Sequence, residues 1–234
     1  MELIKEVWQT EDGQQFQEYL KTLGKKDRVE WTKKNINTQM SVLAVPTPKL
    51  REIIKEIAKG DFMSFLNLNL WQYHENTIIN AGLIAKIKEF YVLENYLKAY
   101  TQKIDNWASC DMFSVDVSKN EQQFFDLAVS MLVEEKPFVR RMGFNILFKF
   151  ITNEKYVNKL FSLLNNFNGE KEYYVNMMIA WFVCELFIKQ REKTLEFLKT
   201  HNLNSFQINK AISKCRDSFR VSAKDKQMLL QYKK

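Results

Sequence analysis

Residues 46–60 read "PTPKLREIIKEIAKG". The stretch opens with prolines, which suit a first helical turn, and closes on Gly60, which suits a C-cap. Between them Leu50, Ile53, Ile54 and Ile57 recur at steps of three and four, the spacing of one helical face. The same rhythm runs outward in both directions. Residues 16–23 carry Phe16, Tyr19, Leu20 and Leu23. Further helices are predicted near 61–70, 75–88, 92–103, 106–117, 120–133, 137–151 and 155–166. Others are predicted near 171–188, 191–200, 204–218 and 222–232. Pro137 suits a helix start, and "NNFNGE" at 165–170 is a break. Alternation of period two is short wherever it occurs, so no strand is expected.

Composition agrees. The 234 residues include 6 Gly and 3 Pro, against average usages of roughly 7% and 5%. Turn-rich all-β folds and glycine-rich phosphate loops need more of both. The length allows a sizeable core. Cys110, Cys184 and Cys215 are odd in number and widely spaced, which fits reduced thiols acting as small hydrophobes. "MELIKEVWQT" lacks an apolar core of signal-peptide length. The greasiest run, "MMIAWFVCELFI" at 177–188, is too short to span a bilayer and contains Glu185. The expectation is a soluble cytoplasmic protein, nucleoid-associated when bound to DNA, with no membrane contact.

The net charge is +7, unevenly spread. Residues 1–117 hold 15 basic and 16 acidic side chains, whereas 118–234 hold 20 and 12. The last stretch, 204–234, carries Lys210, Lys214, Arg216, Arg220, Lys224, Lys226, Lys233 and Lys234 against Asp217 and Asp225. One half of the molecule therefore attracts polyanions, with nucleic acid the first candidate; ordinary solubility is the other reading.

Short helices recur in pairs at roughly 30–45 residue intervals, the range of helical-repeat arrays. Each pair has more apolar surface than it can bury alone, which favours stacking around a shared core and a concave binding surface. A closed bundle is the alternative.

Several familiar sites are absent. His74 and His201 are far apart, and no Cys-x-x-Cys or His-Glu-x-x-His spacing exists, so no metal is expected. No Walker, dinucleotide or nucleophile-elbow pattern exists either. Three helical faces remain. In "NWASCDMFSVDV", 106–117, Trp107 and Asp111 are one turn apart and share a face with Ser114, while Phe113 and Val117 turn inward. In "PFVRRMGFNILFKF", 137–150, Arg141, Asn145 and Lys149 make a polar stripe opposite Phe138, Met142, Ile146 and Phe150, either a phosphate-binding edge or a solvated face. "YYVNMMIAWFVCELFI", 173–188, is apolar nearly all round and should be a buried central helix. Its Trp181 reads as core, and Glu185 needs a partner if buried.

In this order, these stretches resemble the AlkD-type DNA alkylation repair family of DNA glycosylases. The resemblance spans about residues 40 to 220. It rests on Val45, Pro46, Pro48, Leu50 and Arg51 in "SVLAVPTPKLREIIK", and on Leu70, Trp71 and Glu75 in "LNLWQYHENTIINAGLIA". It continues through Asn106, Trp107 and Asp111 in "NWASCD", Arg141 in "FVRRMGFNIL" and Trp181 in "YYVNMMIAWFVCEL". The chain departs from the family's pattern at Ala108, where an acid is usual, and at Asn176 and Cys184, where basic residues are usual.

The resemblance implies an all-α fold, a right-handed superhelical solenoid of HEAT-like helix pairs with a concave DNA-binding cleft, in a single domain over 1–234. It implies a monomeric glycosylase, without cofactor, that excises N3- or N7-alkylated purines from duplex DNA. Asp111 would stabilise the oxocarbenium-like transition state, Trp107 and Trp181 would flank the lesion, and Arg141 would hold the phosphate backbone. Arg140, Asn145, Lys149, Lys210, Lys214, Arg216 and Arg220 would contact DNA. It also implies that the base need not be swung into a deep pocket, which would admit bulky lesions. The departures motivate a second reading, a non-catalytic solenoid that binds distorted or branched DNA. A protein-binding scaffold is a third.

Overall fold

Fourteen α-helices and four short 3-10 turns carry the chain from Met1 to Lys234 in the computed structural model. They fall into two compact units, Met1–Asn120 and Glu121–Lys234. The first holds α1 (Thr10–Thr22), α2 (Val29–Ile36), α3 (Thr47–Ile57), α4 (Phe62–Asn67), α5 (His74–Ile84), α6 (Phe90–Thr101) and α7 (Trp107–Met112). The second holds α8 (Glu121–Met131), α9 (Pro137–Leu147), α10 (Glu154–Leu164), α11 (Tyr173–Lys189), α12 (Arg191–Thr200), α13 (Ser205–Asp217) and α14 (Ala223–Met228). No strand forms; Ser41 and Tyr73 make one isolated bridge.

The α3 stripe is buried as its spacing predicts. Leu50, Ile53, Ile54 and Ile57 all face the core, each contributing about 1.5–3 kcal/mol by leaving water. Pro46 sits at the N-cap and Pro48 in the first turn, where no N–H is needed. Gly60 is not the cap. The helix ends at Ala58 in ordinary right-handed backbone, and no glycine of the chain has positive φ. Gly60 is required for close approach instead: a Cβ there would lie 2.3 Å from the Lys5 carbonyl oxygen.

Each unit encloses one helix on nearly all sides. α5 packs against α3, α4, α6 and α7, and α11 against α9, α12 and α13. Alternate helices thus contact in series, α3 to α5 to α7 and α9 to α11 to α13.

Among the differences from the sequence expectation, three bear on the candidate residues. α2 forms where no helix is predicted, because its apolar content is thin. α7 covers only Trp107–Met112 of the expected 106–117. From Phe113 the backbone is extended, and Phe113 and Val115 are buried while Ser114 and Asp116 are exposed, a period of two. Ser114 therefore does not continue the Trp107–Asp111 face. α9 stops at Leu147 and gives way to the 3-10 turn Phe148–Phe150. All three cysteines are free and buried. No helix is long and apolar enough to cross a membrane.

Candidate functional site

In the first unit, α2, α3, α5 and α7 surround a cleft of about 540 Å³, within the range of roughly 300–1,000 Å³ typical of ligand sites. α7 supplies Trp107 and Asp111. Its start is set by Asn106, whose side chain accepts the Ser109 N–H at 3.0 Å, a standard N-cap. Phe113 ends it. With both ends fixed, ring and carboxylate stand one turn apart and line the same cleft. The Trp107 indole N–H donates to the Asn35 carbonyl at 3.3 Å, and its ring packs on Ile36, Val42 and Ala44.

Beneath α7 lies a buried polar network. Ser109 Oγ is 3.3 Å from His74 Nδ1 and 2.5 Å from Thr77 Oγ1. Tyr100 donates to the Ser109 carbonyl at 2.8 Å, and Asn106 Nδ2 lies 3.4 Å from His74 Nδ1. Burial lowers the His74 pKa to about 4, against a small opposing pull from Asp105. The imidazole is therefore neutral near pH 7 and serves the network as a neutral hydrogen-bonding group.

Glu75 shapes the opposite edge. Only 1% exposed, its carboxylate accepts the N–H of Leu43 at 3.1 Å and of Val45 at 3.3 Å. These bonds hold a loop in which Ala44 takes φ of 58°, a left-handed conformation that costs a non-glycine residue energy. Burial pushes the Glu75 carboxyl above its ordinary value, and the backbone N–H groups oppose that push. Lys25, Arg28 and Arg51 complete the cleft, so it combines three cations with the carboxylates of Asp111 and Glu75.

Trp31, on α2, is a second indole in the cleft wall and is 62% exposed. Sequence reasoning missed it, together with Lys25 and Arg28. A signal existed. Val29 and Ile36 mark the thin apolar stripe of an otherwise polar helix, and Trp31 lies off that stripe. Off that stripe, its ring lines the cleft instead of the core.

The second unit positions the remaining candidates. Trp181, midway along α11, is 37% exposed, which corrects its reading as core from helix periodicity. Its ring rests on Phe148 with centroids 4.7 Å apart, and its indole N–H donates to Glu185 Oε1 at 3.2 Å. Glu185 has the partner its burial demands: Arg220 grips both oxygens, with Nη1 at 2.9 Å from Oε2. Trp181, Glu185, Lys214, Ser218 and Arg220 line an open groove.

Arg141 is buried, 6% exposed, and donates to the Tyr174 carbonyl at 2.6 Å, clamping the start of α11. The expected polar stripe does not persist: Asn145 is half-buried, and Lys149 is exposed beyond the end of α9. Arg140 is committed within the protein. It makes a fork on Glu170 at 2.8 and 3.0 Å, and also donates to the carbonyls of Glu134 and Glu135. Lys210 and Arg216 are exposed, with the Lys210 ammonium 5.7 Å from the Phe206 ring centre. Asn176 links α11 to α13 by accepting from Gln207 at 2.7 Å, and it donates to the Glu170 carbonyl. Cys184 is buried beside Cys215. At these two departures from the family's basic pattern, Asn176 is engaged in hydrogen bonds within the second unit and Cys184 is buried at the edge of the groove that holds Trp181.

Trp107 and Asp111 thus meet in one cleft, and Trp181 lies with Lys214 and Arg220 in another. No group of three or more His, Cys, Asp or Glu side chains gathers where a metal could sit.

No curated protein matches the chain. The family model described as DNA alkylation repair enzyme matches residues 9–215, which take in the whole lining of the first cleft and, in the second groove, Trp181, Glu185 and Lys214 but not Ser218 or Arg220. On that match the chain belongs to the DNA alkylation repair enzyme family, and its role lies in the repair of alkylated DNA.

Proposed function

We propose that the protein is an alkylpurine DNA glycosylase acting on N3- or N7-alkylated purines in duplex DNA. The observation that carries this reading is the placement of Asp111 and Trp107 on one wall of a cleft that also holds Trp31 and three cations.

An alkylated purine is already cationic. When its bond to C1′ breaks, the base leaves with the electron pair as a neutral alkylpurine, and positive charge builds on the sugar. A fixed carboxylate stabilises that charge more in the transition state than in the ground state. Asp111 supplies it and takes the proton when water adds to C1′, which leaves an abasic site. The indole faces of Trp107 and Trp31 attract the cationic base before it departs. Lys25, Arg28 and Arg51 contact phosphates, as do Lys210, Lys214 and Arg216 in the second unit. Trp181 and Arg220 contact the duplex, and Arg141 acts by fixing the start of the helix that carries Trp181.

The same reading takes the helix pairs to stack in the right-handed HEAT-like manner in a single monomeric domain. The serial packing of alternate helices within each unit supports it. We also take the protein to act in the cytoplasm.

The test is base release from methylated duplex DNA, with 3-methyladenine and 7-methylguanine resolved by chromatography. Wild-type protein releases one or both, and Asp111→Asn binds the same DNA without releasing them. Binding without release by wild-type protein overturns the enzymatic reading in favour of a non-catalytic DNA-binding role.

A further inference from the structure

Phe219 is fully exposed, at 103% of the reference area, more than any other large apolar side chain of the protein. Burying a phenylalanine stabilises a fold by about 1.5–3 kcal/mol, and this ring contributes none of that. Nor is it a loose end. Its neighbours on both sides are held. The Ser218 N–H donates to the Lys214 carbonyl at 3.1 Å, and Ser218 Oγ accepts the Arg220 N–H at 3.2 Å. The Arg220 guanidinium is fixed on Glu185, and Val221 is buried. The turn after α13 therefore presents the ring on a braced backbone.

Its surroundings identify the partner. Ser218 and Arg220, which flank the ring in sequence, line the same groove as Trp181. Lys214, Arg216 and Lys224 lie near it in sequence, against Asp217 and Asp225, while Arg220 is paired with Glu185. Asp225 is neutralised by Arg191 at 2.6 Å. A fully exposed ring in a cation-rich stretch of chain, whose two sequence neighbours share a groove with the partly exposed Trp181 indole, suits a polyanion that offers flat apolar faces. An apolar protein surface would not favour the cations, and a phosphate surface alone would not favour the ring. DNA at an opened base step provides both.

We infer that Phe219 is a wedge that enters duplex DNA where stacking is broken and rests on an unstacked base. The inference rests on the proposed DNA-repair role and does not require base release.

The probe is a short duplex with a central abasic analogue and 2-aminopurine beside it. Wild-type protein raises the 2-aminopurine fluorescence on binding. Phe219→Ala abolishes the rise and weakens binding about tenfold, the order seen when a stacking aromatic is removed. Phe219→Trp restores both. Val133→Ala removes another exposed apolar side chain and changes neither. Phe219→Ala that binds and unstacks like wild type overturns the wedge, even where wild-type protein releases alkylated bases. The wedge stands if the fluorescence and affinity effects appear in a protein that releases none. The two readings therefore fail separately.

Discussion

Glu185 joins Trp181 to Arg220: it accepts the indole N–H at 3.2 Å through the oxygen that also takes one prong of the guanidinium fork. The carboxylate is nearly buried, whereas the arginine is about half exposed. Removing the arginine leaves a buried charge with only an indole to pair it, at a cost of about 1 kcal/mol, the low end for an unsatisfied buried group because water can reach the site. Arg220→Ala should lower the urea midpoint accordingly. It should also raise acrylamide quenching of Trp181 fluorescence, read in a variant whose other tryptophans are phenylalanine. An unchanged quenching constant would show that the pair does not orient the ring.

Trp31 separates binding from folding. Its ring is mostly in solvent, so Trp31→Ala should change stability by no more than about 0.5 kcal/mol. It should nonetheless weaken affinity for alkylated duplex roughly tenfold, as loss of a stacking platform does. Equal affinity of variant and wild type would remove Trp31 from the DNA-binding surface.

Gly60 tests close packing. A methyl group there meets the Lys5 backbone at 2.3 Å, and backbone yields less readily than a side chain. Gly60→Ala should destabilise the first unit by roughly 2 kcal/mol, measured as a shift in urea midpoint at unchanged slope. A neutral substitution would mean that the segment around Lys5 relaxes freely.

His74 gives a pH signature. Unfolded, the imidazole titrates near 6.5; folded, burial holds it at about 4. Below 6.5 the unfolded chain binds a proton that the native state does not, so this group removes stability as pH falls towards 4. Glu75, raised above 4.5 by burial, acts in the opposite sense, favouring the folded state at low pH. The difference between wild type and His74→Asn isolates the histidine. The wild-type advantage should shrink by about 2 kcal/mol between pH 7 and pH 5. A constant difference would indicate that the imidazole is solvated.

What the sequence disclosed and what it withheld divide along one physical line. Spacing discloses faces, so the α3 stripe, the enclosed α11 and the shared cleft wall of Trp107 and Asp111 were all legible. Spacing does not disclose what packs against a face. Arg141 reads as the head of a polar stripe, yet it is buried because the Tyr174 carbonyl offers it an acceptor thirty-three positions away. Trp181 reads as core because its helix is apolar all round, yet α11 leaves that position only partly covered. α2 was missed because two apolar residues seven positions apart give too weak a period. Its indole went unseen with it.

The neutral His74 has a consequence for selectivity. An intact purine leaves its sugar readily only after a donor protonates it, whereas an alkylated one carries its positive charge already. On the proposed reading, a cleft whose lone histidine stays uncharged down to about pH 4 does not offer that donor through its imidazole. Healthy nucleotides would then gain no help in leaving from this side chain.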